Sequence, residues 1–305
     1  MSGTLGRDKV WNEHIWSEID KAVREEVGRI RVAQKVFPST IVNNVLPVSI
    51  GRAVPFGGLA PVFPVPDQFQ PFLEISTEFL LTQAQVEGEE NVHLAPSRAR
   101  LAATTVANAE DTILFLGPVS IPLLVPPAGV VAVTNQFAVP PGFVAEAAAY
   151  PPPVPPVNSA GATPRGAPLG FVGDILGALA LGMANLNTRA QPGPYALFLP
   201  PNRYAQTFAP VVAGALQTPG DQINRVVTGG FYMVNSLAIV GPEPPPDRGI
   251  LVSLGGEPAK IILGNDVMTA FTFADQLGNY HFRVFERIQL VVQDGRAFQT
   301  LTFGP

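Results

Sequence analysis

The chain has 305 residues, of which only 14% are Asp, Glu, Lys or Arg, well below the roughly 25% usual for globular proteins. Its 33 prolines, about twice the average share of roughly 5%, exclude a long coiled coil or a mainly helical bundle, because each internal proline removes a helix hydrogen bond and clashes with the preceding turn. A net charge of −5 with no Lys/Arg cluster argues against nucleic acid as a ligand, and the lack of cysteine excludes disulfides, thiolate nucleophiles and cysteine metal sites.

The opening MSGTLGRDKVWNEHIW has no apolar run behind a positive start, so no secretion signal is expected and a cytoplasmic location is the default. From Trp16 onward, Ile19, Val23, Val27 and Ile30 recur at steps of three and four, which predicts an amphipathic helix stopped by Phe37 and Pro38. Between Asn44 and Pro71 the prolines and Gly57-Gly58 predict two extended arms joined by a tight tip, with the prolines preventing a full ladder between them. Such an arm needs another surface, its own domain or a neighbouring subunit.

FLEISTEFLL, Phe72 to Leu81, alternates Leu73, Ile75, Thr77 and Phe79 against Glu74, Ser76 and Glu78, the period of a half-buried strand. Ser97 to Leu116, between Pro96 and Gly117-Pro118, predicts a helix of about 20 residues, about 30 Å long, with a buried seam of Leu101, Ala102, Thr105, Ala109 and Ile113. Glu110 and Asp111 are adjacent, point about 100° apart on a helix and cannot form a facing catalytic pair; structural use, such as a buried ion pair, is the expectation.

The stretch from Thr112 to Pro164 carries only Glu146 as a charge, but Pro122, Pro126, Pro127, Pro140 and Pro141 interrupt every window long enough to span a membrane. An extended, proline-rich insertion is expected instead. Beyond it, Phe171 to Asn187 predicts a helix, Tyr195 to Leu199 a buried strand, Asn202 to Leu216 a helix, Gln222 to Thr228 a further helix and Phe231 the start of a strand, together a compact α/β subdomain. ILVSL from Ile250 and KIILG from Lys260 read as a hairpin around Gly255-Gly256, and Tyr280 to Gln293 as a long strand paired with distant segments.

No catalytic constellation emerges. His14, His93 and His281 have no ligand at metal-binding spacing, so no metal site is expected and each reads as a surface or interface histidine. Neither a phosphate-binding loop, a dinucleotide fingerprint nor a Gly-x-Ser-x-Gly elbow is present.

In their order and spacing, WSEIDKAVREE (Trp16 to Glu26), FLEISTEF (Phe72 to Phe79), NAEDTILFLG (Asn108 to Gly117), GPYALFLPPNRYAQTF (Gly193 to Phe208), ILVSLGG with ILGND (Ile250 to Asp266) and HFRVFE (His281 to Glu286) resemble the encapsulins, nanocompartment shell proteins on the tailed-phage major-capsid fold. The resemblance implies an α+β fold with a peripheral domain, an axial domain and an extended loop. The expected division is residues 1–43, 72–118 and 249–305 peripheral, 44–71 the loop, 119–170 the insertion and 171–248 axial. It implies a non-enzymatic shell of about 60 copies or a larger icosahedral multiple, without cofactor. It also implies a cargo enzyme, a ferritin-like protein or a dye-decolourising peroxidase, whose C-terminal tail docks on the inner wall.

Carried over by position, the docking groove comprises Val27, Ile30, Arg31, Gln34 and Phe37, with Ala33-Gln34 where many family members have Gly-Arg. The five-fold pore would be lined by Ala213, Gly214, Ala215, Leu216, Gln217, Thr218, Pro219, Gly220 and Asp221, and the tip of the inter-subunit arm would be Pro55, Phe56, Gly57, Gly58, Leu59 and Pro61. The uncharged insertion is longer than family members usually carry and is expected at the surface or between subunits. The alternatives are a prophage capsid protein that packages DNA and a soluble hydrolase or peptidase.

Overall fold

The fold comes from a computed structural model, which describes residues 5–42, 48–50, 53–55, 62–64, 68–125, 130–149, 173–209, 217–238 and 248–303. Helix α1 spans Glu13–Ile30, opened by Asn12, whose side chain accepts from the Ile15 N–H, and a short α2 follows at Ala33–Val36. Strand β1 is Ser39–Ile41, and the predicted arm contributes β2 (Val48–Ile50), β3 (Ala53–Pro55), β4 (Val62–Pro64) and β5 (Gln68–Gln70). The described parts of the arms pair, β2 with β5 and β3 with β4, over three residues each, and Pro55 and Pro64 stand within the second pair. Phe56, Gly57, Gly58, Leu59 and Pro61 lie outside the described residues.

Strand β6 (Leu73–Thr82) is followed by α3 (Gln83–Glu87), α4 (Glu89–Val92) and the long α5 (Leu94–Leu116). The insertion holds α6 (Ile121–Leu124), β7 (Ala132–Thr134) and α7 (Phe143–Ala149). Next come α8 (Gly173–Thr188), β8 (Tyr195–Leu199), α9 (Pro201–Gln206), α10 (Pro219–Val226) and β9 (Gly230–Met233). The chain closes with β10 (Arg248–Ser253), β11 (Ala259–Ala274), β12 (Asn279–Val292) and β13 (Phe298–Thr302).

Two larger sheets organise these elements: a five-stranded one in the order β1-β11-β12-β6-β7 and a four-stranded one in the order β13-β10-β8-β9. Ile19, Val23 and Val27 of α1, Ala103 and Val106 of α5, and Leu73, Ile75, Phe282 and Val284 of the large sheet share one core. Alanines along α5 let the helices and sheet approach closely. A second core under the small sheet joins Ile175, Leu179 and Leu186 of α8 to Leu197, Ile223, Leu251 and Leu301. The predicted α5 seam holds at Ala102, Ala109 and Ile113, whereas Leu101 is on the open side of the helix.

Three expectations are corrected. The strands flanking Gly255-Gly256 form no hairpin: β10 pairs with β13 and β8, while β11 pairs with β12 and β1, so the turn carries the chain from one sheet to the other. Of the expected return segment 249–305, therefore, β11 and β12 enter the large sheet and β10 and β13 the small one. The helix expected over Asn202 to Leu216 stops at Gln206, with a turn at Thr207, whose N–H and hydroxyl both donate to the Tyr204 carbonyl; residues 210–216 lie outside the described residues.

The third correction concerns the insertion, which is not an extended decoration over residues 130–149. Strand β7 pairs with β6, and Phe143 is fully buried. Its ring stacks on Phe37 (4.6 Å between centroids) and Phe298 (5.4 Å) and meets Phe115 edge-on (5.3 Å), while Phe198 touches Phe37 and Phe115. These rings come from two strands of the small sheet (Phe198 of β8 and Phe298 of β13), the spine helix, the insertion and the end of α2. The approach depends on two glycines. Gly117 (φ +66) and Gly142 (φ +80) sit backbone to backbone, and a Cβ on Gly117 would lie 2.1 Å from the Pro141 carbonyl oxygen. Gly117→Ala is accordingly expected to cost at least about 1–3 kcal/mol, read from the chemical-denaturation midpoint.

Candidate functional site

A cleft of about 740 Å³ near the end of α1 is walled by Arg29, Ile30 and Val32 on one side and by Thr104, Thr105, Asn108, Asp111 and Thr112 of α5 on another. Leu123, Leu124, Val130 and Val131 of the insertion and Met233 to Ser236 after β9 complete it. Positions 104, 105, 108 and 112 share one helical face. The hydroxyls of Thr105 and Thr112 donate to carbonyls one turn back, and that of Thr104 lies 3.0 Å from both the Arg100 carbonyl and Glu26 Oε1 of α1. Met233 and Val130 are exposed apolar groups at its rim. Ser236 Oγ, in contrast, is buried with no hydrogen-bond partner among the described residues.

A smaller cleft of about 320 Å³ lies across the same helix end, between Arg24, Val27, Gly28, Arg31, Gln34 and Lys35 and the β1–β11 strands. The docking residues inferred from sequence are thus not gathered in one groove. Ile30 lines the large cleft, and Val27, Arg31 and Gln34 border the small one. Phe37, 2% exposed in the aromatic cluster, cannot line a groove. The large-cleft residues missed from sequence, Thr104 to Asp111 and Met233 to Ser236, are brought to α1 from positions far along the chain. Only the polar face of α5 hinted at them.

Between the two clefts lies a buried ionic cluster. Arg31, at the joint of α1 and α2, forms ion pairs with Glu110 and Glu286, and its Nη1 lies 3.5 Å from Asp266 Oδ1. Glu110 accepts from Gln34 Nε2 at 2.7 Å. Asp111 uses both oxygens on the first turn of α2, accepting from the Val32 N–H (2.8 Å) and the Ala33 N–H (3.0 Å). Adjacent residues of one helix thus fasten the joint to the spine, and Glu286 fastens it to the large sheet. The structural use expected of Glu110 and Asp111 is what the fold displays.

Burial drives the Glu110 carboxyl upward, against the pull of Arg31 and Gln34. Burial, helped by the charge of Glu110, pushes Asp111 up to about 7, although its two backbone donors act in the opposite direction. Nothing in this cluster resembles a nucleophile with its base, and no group of three or more potential metal ligands occurs among the described residues.

At the inferred pore, Ala213, Gly214, Ala215 and Leu216 lie outside the described residues. Thr218 and Asp221 cap α10 reciprocally: the Thr218 oxygen accepts from the Asp221 N–H, and the Asp221 carboxylate accepts from the Thr218 N–H and hydroxyl. Those bonds hold the Asp221 carboxyl below its ordinary range. Pro219 and Gly220 are buried, with the Gly220 N–H donating to Thr207, so they line no opening; Gln217 and Asp221 are exposed. Pro55 appears only as the last residue of β3. No helix among the described residues is long and apolar enough to cross a membrane.

Comparison with known proteins gives two kinds of match. A family described as "Encapsulating protein for peroxidase" matches residues 158–289, a little under half of the chain. Among solved structures, the virus-like particle from Pyrococcus furiosus is similar at a TM-score of 0.65 and 14% identity, covering 94% of this chain and 98% of that one. The capsid of Myoviridae phage XM1 is similar at 0.55 and 12%, covering 90% and 92%, and the capsid of a native GTA particle at 0.54 and 11%, covering 89% of each. No curated protein sequence matches the chain. Over residues 158–289 the sequence is thus similar to the encapsulating-protein family, and along most of its length the chain has the fold shared by this virus-like particle and the phage capsid.

Proposed function

We propose that the chain is the self-assembling subunit of a nanocompartment shell, which encloses a cargo enzyme and admits small molecules through openings between subunits. The observation that carries this reading is the family match, to proteins that encapsulate a peroxidase, on a chain with the capsid fold. The low surface charge fits it, because the centres of subunit interfaces are depleted in charge. The cargo is a peroxidase or a ferritin-like enzyme bearing a C-terminal tail, and the tail lies in the large cleft beside Ile30. That cleft sets the apolar Ile30, Leu123, Leu124 and Val131 beside the polar face of α5 and the buried Ser236 hydroxyl, which suits an extended peptide that alternates apolar and polar side chains.

Size-exclusion chromatography and negative-stain microscopy of the purified protein are expected to show uniform hollow particles; a lone subunit at every concentration would overturn the proposal. Ile30→Asp combined with Met233→Asp is expected to lower co-purified cargo by about tenfold or more while particles still close. Undiminished cargo would place the tail elsewhere. The phage XM1 likeness favours a second reading, a coat that packages DNA, and nuclease-protected DNA in purified particles would support it.

A further inference from the structure

The cluster around Arg31 is unbalanced. Glu110 and Glu286 are fully buried and Asp111 nearly so, Asp266 closes on the same guanidinium, and Arg31 is the one buried cation facing them among the described residues. The other cations nearby do not compensate. Arg29 is held by Glu26, Lys35 Nζ donates to the Arg29 carbonyl, and Arg24 stands on the far wall of the small cleft. Three buried carboxylates around one guanidinium cannot all stay ionised at modest cost, since the charges repel where water is excluded. One carboxylate oxygen, Glu286 Oε1, is buried without a hydrogen-bond partner among the described residues, a place for a proton to sit.

We propose that Glu110, Asp111 and Glu286 form with Arg31 a proton-operated clamp on the α1–α2 joint. With one proton held among the three carboxyls, the joint stays pinned to the spine helix and the large sheet. When that proton passes to solvent, the added negative charge weakens the pinning, and the segment Arg29 to Gln34 loosens. This segment walls both clefts, so the clamp links the proton concentration to the shape of the large cleft. The consequence for cargo rests on the docking reading given above; the clamp itself does not.

The sign follows from linkage. A carboxyl that binds its proton more tightly in the folded state contributes fully in acid, below the ordinary carboxylate range, and the contribution is lost as the pH climbs through the folded value, about 7 for Asp111. Hydrogen exchange of residues 29–36 in cargo-free particles, corrected for the intrinsic rate, is therefore expected to rise about threefold or more from about pH 6 to about pH 8. Exchange in the β11–β12 hairpin should stay level.

Glu286→Gln and Asp111→Asn each remove one of the competing charges, and at least one of them is expected to flatten the rise. A flat wild-type profile, or an undiminished rise in both variants, would overturn the clamp. Where a variant fails to assemble, the wild-type profile and the other variant decide. Cargo retention across the same pH range is a separate measurement: a clamp that responds without any change in cargo would count against the docking site and leave the clamp standing.

Discussion

Replacing Arg31 by methionine is expected to destabilise the chain by about 3–5 kcal/mol near neutral pH, because it strips from Glu110 and Glu286 the one buried cation facing them among the described residues while preserving most of the side-chain volume. The loss should shrink in acid, where the stranded carboxyls take up protons and the buried negative charge disappears. Chemical-denaturation midpoints of wild type and Arg31→Met at about pH 5 and about pH 8 check this. Equal losses at both pH values would mean that packing, not charge, makes Arg31 valuable. An exposed pair such as Lys21–Glu25 provides the contrast, since such surface pairs are worth about 0–1 kcal/mol.

Phe143→Ala is the second large effect, again about 3–5 kcal/mol, because the ring is fully buried among Phe37, Phe115 and Phe298 and its neighbours cannot collapse into the space. Phe137, six residues earlier in the same insertion, is 83% exposed, and Phe137→Ala should stay within about 0.5 kcal/mol. Comparing the two midpoints separates a packed insertion from a loose one. Similar small losses at both positions would restore the extended insertion that proline content alone suggests.

Elements with strong periodicity were legible from the sequence. The alternation from Leu73 to Phe79 and the stripe Ile19, Val23, Val27 are buried as the pattern requires, and the β8 limits Tyr195–Leu199 match. What the sequence hid depends on partners distant along the chain. Gly255-Gly256 marks a turn, but whether the flanking strands pair with each other is decided by β8, β12 and β13. Phe143 stands in a run of small residues and prolines, with no local sign that rings from three other elements surround it. The candidate cleft was half visible: Ile30 follows from helix spacing and family resemblance, whereas Ser236 and the α5 face needed the fold. Arg31 and Gln34 were named through the family resemblance and do border the small cleft, but the contacts of Arg31 with Glu110 and Glu286 and of Gln34 with Glu110 depend on residues distant along the chain.

The knot of phenylalanine rings bears on how such a tile can bend. Interlocked aromatic packing tolerates discrete rearrangement but resists gradual distortion, so the small sheet, the spine helix, the end of α2 and the α7 segment of the insertion, which the knot joins, travel as a rigid body. In the proposed shell, differences in curvature between one lattice position and another would then fall on the peripheral connections, leaving the tile's centre unflexed.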